Sequence, residues 1–192
     1  MNLAQAEAAL AALSPLPFPM PLGRLAGVVE GGFTGVSKRS WVVAGPRERI
    51  GAILRGCPVE RLVDPSVGAR PYKLAPVSGA PGNRALHAVG LALGTGEPVL
   101  CFLGLASAAS GALHEALNAA VLTGAPVIFL LTVTPIPDDA PINGQLAASP
   151  SALAAAHGLQ TARVAAVAEA VREAVSAAAA AGVPTLIEAI LE

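Results

Sequence analysis

The sequence predicts a single three-layer α/β/α domain built on a mostly parallel, doubly wound sheet. Two observations carry that reading. Four apolar runs, Val99–Leu103, Val127–Val133, Gln160–Val164 and Thr185–Ile190, alternate with segments patterned as helices, Ser110–Leu122, Ser151–His157 and Val167–Ala181. Strands buried on both faces and joined through helices run parallel. The second observation is size: 192 residues, 54% hydrophobic and 13% charged, hold one sizeable core and little else.

Taken in order, residues 2–13 alternate alanines with polar groups and predict a short helix. Pro15, Pro17, Pro19 and Pro21 stop it, because proline lacks the N–H a helix interior needs. Residues 23–40 are Gly-rich and weakly patterned, so irregular structure is expected there. Residues 1–40 are therefore read as a helix followed by a Pro/Gly-rich arm, mobile or docked on a partner, and residues 41–192 as the α/β domain. Trp41–Ala44 predicts a short strand, and Arg47–Arg55 a helix closed by Gly56. Pro58–Val63 adds one turn, and Arg70–Ser78 is a loop holding Pro71 and Pro76. Gly82–Leu93 is a helix with Leu86, Val89, Gly90 and Leu93 at helical spacing. Near the end, Val164, Val167, Val171 and Val175 mark one apolar face.

Composition excludes several classes. The apolar stretches Pro98–Ala109 and Ala125–Val133 fall short of the ~20 residues that span a bilayer. Met1–Leu13 has no basic region and carries Gln5 and Glu7, unlike a secretory leader, so the cytoplasm is the expected compartment. A net charge of −1 gives no electrostatic case for nucleic acid. Cys57 and Cys101 are no disulfide framework, and no Cys/His spacing fits zinc. Cys101 reads as a small core side chain and Cys57 as a turn residue.

One stretch carries more than fold. Gly104–Ala120 contains His114-Glu115-Ala116-Leu117-Asn118 and leads into Ala125–Leu131. This resembles the thiamine-diphosphate motif region of the 2-oxoacid dehydrogenase alpha subunits, of pyruvate and branched-chain type. The match runs from Gly104 to Thr134 without a gap, which makes it more specific than a lone glycine pattern. Pro81–Ala92, Ile53–Leu62, Trp41–Glu48, His157-Gly158 and Gly182–Glu188 resemble further family segments, so the likeness covers residues 41–190. It implies a thiamine-diphosphate-binding fold.

The same resemblance shows what is missing. The cofactor's diphosphate is bridged by Mg²⁺, which wants octahedral oxygen ligands at ~2.0–2.1 Å. In the family an Asp and an Asn supply two of them. The motif positions fall here on Gly104, Leu105, Ala106, Ser107, Thr134 and Ile136, with Leu105 in place of the Asp and Thr134 in place of the Asn. An aliphatic side chain offers no oxygen, and a hydroxyl is a weak substitute. Upstream, Pro46-Arg47-Glu48-Arg49-Ile50 stands where the family has Tyr-Arg-x-His-Gly, and Arg61 replaces another family His. Only Arg47 keeps a phosphate-contacting position.

The remaining candidates have bland readings. Arg47, Arg49, Arg55, Arg61, Arg70 and Arg84 could form an inherited anion site, but a scattered, solvated surface is expected. His114 follows Ser107 and Ser110 on one helical face; with no orienting acid or oxyanion hole it is read as a surface residue. Glu115 and Asn118 match family positions near subunit contacts, or serve packing or solvent. Asp138 and Asp139, between Pro137 and Pro141, are read as turn residues rather than replacement metal ligands. His157 before Gly158 is read as a helix C-terminal residue favoured by the dipole, and His87 as a packing or interface residue.

The expectation is a catalytically silent homologue of the alpha subunit, acting in binding or assembly. It has no catalytic residue, no metal and no resident cofactor, and it forms a homodimer or a hetero-oligomer with a beta-subunit-like chain. The alternative is a thiamine-diphosphate-dependent subunit whose Mg²⁺ site is supplied by Asp138, Asp139 or a partner. A third reading gives the pocket to another anionic ligand through Arg47 and Arg49.

Overall fold

The computed structural model describes residues 1–13, 21–64, 66, 68–78, 80, 82–134 and 145–191. Five strands form one wholly parallel sheet: β1 (Val42–Val43), β2 (Val99–Gly104), β3 (Val127–Val133), β4 (Gln160–Ala165) and β5 (Thr185–Ile190), in the order β1-β2-β3-β5-β4. The helices are α1 (Leu3–Leu13), α2 (Ala26–Gly35), α3 (Asn83–Thr95), α4 (Leu105–Ala108), α5 (Gly111–Thr123), α6 (Pro150–His157) and α7 (Ala168–Ala181). The doubly wound, three-layer expectation holds.

Alternation along the strands divides the core in two. Leu100, Phe102, Ile128, Leu130 and Ile187 face α1, α2 and α7, while Cys101, Leu103, Phe129, Leu131 and Leu186 face α3, α5 and α6. Both sets are buried, which is why these strands read as continuous apolar runs. Beyond β1, Val42 N–H donates to Lys73 O at 2.8 Å and Ala75 N–H to Val42 O at 3.0 Å, so part of the expected loop 70–78 lies alongside the edge strand.

Residues 23–40 correct the sequence reading. Instead of irregular structure they hold a 3-10 turn, Gly23–Leu25, and helix α2, laid directly on α7. Gly27, Gly31 and Gly35, four residues apart, make the contact surface. A Cβ on Gly31 would come 2.5 Å from Ala168 O, and one on Gly35 2.8 Å from the Val175 Cβ. Ser176 Oγ donates to Gly35 O at 3.1 Å across the same seam. The glycines weaken intrinsic helicity but let two backbones approach more closely than any side chain allows. Tertiary packing overrides propensity. Leu3, Ala6, Leu10, Leu22 and Val28 enter the same buried cluster as the sheet.

Three smaller expectations also shift. The helix expected over Arg47–Arg55 is a 3-10 helix, Glu48–Arg55, closed by Gly56 at φ +90°. Of the face expected on α3 only Val89 is buried, beside Ala85, Ala88 and Ala92, while Leu86, Gly90 and Leu93 face outward. Of the valines expected on one face, Val171 and Val175 of α7 are buried, together with Ala178, while Val167, one residue before the helix, is exposed. Among the described residues no helix is long and apolar enough to cross a membrane.

Candidate functional site

In an open parallel sheet, ligands bind beyond the carboxyl ends of the strands, where loops and helix N-termini converge. Here that edge brings together the ends of β1, β2 and β3. Gly104 at the end of β2 pairs with Thr132 of β3, so Leu105 and Thr134 leave adjacent strands side by side. The two positions singled out by the motif are thus neighbours in the fold. Ile136, Asp138 and Asp139 lie outside the described residues.

Among the described residues, the ends of β2 and β3 carry little polar chemistry. Gly104 is extended (φ −99°, ψ 165°) with open space around its α-carbon. Leu105 begins the single-turn α4 and packs half-buried against the core; Ala106 and Thr134 are exposed. The Ser107 hydroxyl is buried with no hydrogen-bond partner. Ser107 therefore does not bond to His114, and the Ser-His pairing has no geometric support. Ser110 instead caps α5, its Oγ accepting the Ala112 N–H at 3.2 Å. Neither Leu105 nor Thr134 brings a carboxylate or an amide oxygen. Among the described residues no group of three or more His, Cys, Asp or Glu converges as a metal site.

The arginines are not the solvated set expected. Arg61 and Arg70 are exposed, but Arg49, Arg55 and Arg84 are buried. Arg55 donates to the carbonyls of Ser40 (2.7 Å), Tyr72 (3.2 Å) and Ser37 (3.3 Å) and lies over the Phe33 ring, so it ties two loops to the core. Burial lowers its pKa to about 10. Burial also lowers Arg49, with Asp64 and Cys57 opposing. Arg84 stands 4.0 Å from Glu48, and the two cover Gly45 at the end of β1. Arg47, at the expected phosphate-contacting position, donates to Pro21 O (2.7 Å) and Leu22 O (3.1 Å). Glu7 accepts the Leu22 N–H, so this short segment is held from both sides.

Other candidates sit on helices of the opposite face. Glu115 and Asn118 are exposed on α5, and His87 lines a cavity of about 330 Å³ with Trp41, Pro76, Val77 and Leu91. His157 ends α6, before Gly158 at φ +97°, as expected of a helix C-terminus. Its ring meets that of His114 edge to face, centroids 6.0 Å apart. Sequence reasoning treated these two separately; nothing in their spacing brings α5 and α6 together. It also missed the role of Glu188, 1% exposed in β5, which accepts the Ser151 N–H at the start of α6 and pairs with Arg163 of β4, each at 2.7 Å. Cys101 is wholly buried, which pushes its thiol up to about 12.

No protein-family model and no curated protein matches the chain in sequence. Solved structures do match it in shape. Transketolase from Campylobacter jejuni superposes with a TM-score of 0.71 over 98% of this chain, at 17% identity. Benzoylformate decarboxylase from Polynucleobacter necessarius gives 0.60 over 90%, at 20% identity. A proposed thiamin diphosphate-dependent enzyme of Mycobacterium smegmatis gives 0.59 over 85%, at 22% identity. The fold is that of thiamin diphosphate-dependent enzymes. The chain spans only 36%, 34% and 31% of those three chains. At these identities the likeness speaks for architecture alone, and the site must be argued from its own residues.

Proposed function

We propose that this chain is a catalytically silent relative of the 2-oxoacid dehydrogenase alpha subunit that works in the cytoplasm by binding or assembly. The observation that carries the reading is Leu105, an aliphatic side chain half-buried at the end of β2, where the resemblance places a metal-binding carboxylate. Thr134 beside it offers one neutral hydroxyl. A diphosphate-bound Mg²⁺ requires oxygen ligands, commonly one or two of them carboxylates.

Support for assembly comes from the helices on one face. α3 and α5 lie side by side and present Leu86, Leu93 (53% exposed) and Leu122 (77% exposed) to solvent. Glu115 is the one exposed charged side chain on these two helices. Exposed aliphatic residues on a charge-poor face suit association with a second copy or with a beta-subunit-like chain.

Calorimetric titration of the full chain with thiamine diphosphate and Mg²⁺ tests the silence; no heat of binding is expected. Tight Mg²⁺-dependent binding would instead support an active subunit whose metal ligands come from elsewhere, such as Asp138 or Asp139. Light scattering after size exclusion tests the assembly; a clean monomer at micromolar concentration would defeat it.

A further inference from the structure

We propose that His114 and His157 form a two-imidazole site for a divalent transition-metal ion of the zinc and copper type. The chain has three histidines. Two of them, far apart in sequence, meet where α5 passes the last turn of α6, with ring centroids 6.0 Å apart and planes at 82°. Zinc binds imidazole nitrogen at ~2.0–2.1 Å, which puts each ring centre ~3 Å from the ion and two such centres ~5–6 Å apart. The observed separation is at the upper end of that span, so the exposed ring of His114 and the half-buried ring of His157 stand close enough to share one ion once their nitrogens turn toward it.

The supports of the two rings are rigid. Ser110 caps the start of α5, one turn before His114. α6 is held at its N-terminus by the Ser149 cap and by buried Glu188, and ends at Gly158 directly after His157. Ligands carried on fixed helices lose little freedom when an ion binds. His114 also lines a cavity of about 270 Å³ with Ala108, Ala109, Gln145, Leu146 and Leu153. Two imidazole nitrogens favour zinc- and copper-type ions over Mg²⁺ and Ca²⁺, which prefer oxygen. Two protein ligands leave coordination positions for water or an anionic ligand. The site does not depend on the silent-relative reading, because its two imidazoles are carried by α5 and α6 and not by the positions Leu105 and Thr134.

The test is calorimetric titration of the full chain with Zn²⁺, Cu²⁺ and Mg²⁺, beside the variants His114→Ala, His157→Ala and His87→Ala. One ion per chain is expected, Cu²⁺ tighter than Zn²⁺ and Mg²⁺ silent. Either variant of the pair should weaken Zn²⁺ at least about tenfold, while His87→Ala leaves it unchanged. His157→Gln, with unchanged circular dichroism, guards against a loss caused by misfolding. The proposal is overturned if the wild type binds neither Zn²⁺ nor Cu²⁺, if either single variant keeps full affinity, or if His87→Ala loses as much.

Discussion

Glu188 and Arg163 face each other across the β4–β5 pairing at 2.7 Å, the carboxylate almost wholly buried and the guanidinium mostly in solvent. The acid also receives the Ser151 N–H, so it joins the edge strand, its neighbour and the start of α6. Glu188→Ala removes the acceptor and leaves that N–H unpaired. We expect a loss of about 2–3 kcal/mol in urea unfolding, and a smaller loss for Glu188→Gln, whose carbonyl can still accept. Equal stability of Glu188→Ala and the wild type would refute this role.

The α2–α7 seam predicts opposite effects at two helical glycines. Gly31→Ala forces a methyl to 2.5 Å from Ala168 O and 2.7 Å from the Val171 Cβ, so the helices must separate. A loss of about 1–3 kcal/mol should follow, read as a lower thermal midpoint. Gly90 on α3 has open space around it, and Gly90→Ala should stabilise by about 0.4–1 kcal/mol. Matching shifts in the two variants would contradict the close contact.

Cys101 supplies a pH-dependent signature. Burial raises its thiol from an ordinary 9.0 to about 12, so the folded chain keeps the proton longer than the unfolded one. The contribution is complete below pH 9 and is lost as pH rises toward 12. Arg55, lowered to about 10, acts in the opposite sense, because the unfolded chain then binds more protons. The difference between wild type and Cys101→Ala isolates the cysteine: the wild type's relative stability should fall above pH 9. A thiol reagent at pH 8 should label neither cysteine until denaturant is added, since both are buried.

Restoring the two oxygen donors tests the silent reading directly. Leu105→Asp with Thr134→Asn places a carboxylate and an amide on adjacent strand ends. The pair should bind Mg²⁺ more tightly than either single variant, and by more than the two effects added. Purely additive behaviour, measured by calorimetry, would show that the positions do not share an ion.

The layered fold was legible because both faces of the sheet are buried, which leaves β2, β3 and β5 as unbroken apolar runs between helices. The motif likewise singled out Leu105 and Thr134, each just beyond an expected strand; the register of β2 with β3 shows those strands to be neighbours. Helix α2 was hidden because its glycines carry no periodic apolar signal; their value lies in what they permit α7 to do. Arg49, Arg55 and Arg84 were misread because charge marks surface by default, while the carbonyls that hold Arg55 and the Glu48 carboxylate beside Arg84 are distant in sequence. The outward leucines of α3 misled for the reverse reason: alanine, not leucine, fills the narrow space beneath that helix. The meeting of His114 and His157 depends on how α5 lies against α6, which no local pattern encodes.

The glycine seam also bears on how the chain is made. Residues 26–35 emerge from the ribosome long before residues 168–181, yet four glycines give them little reason to coil alone. Their packing against α7 must await synthesis of residues 168–181, so this helix completes its contacts after the first three strands are made. A nascent chain halted before residue 168 should leave residues 26–35 open to proteolysis, while the sheet's first three strands can already gather.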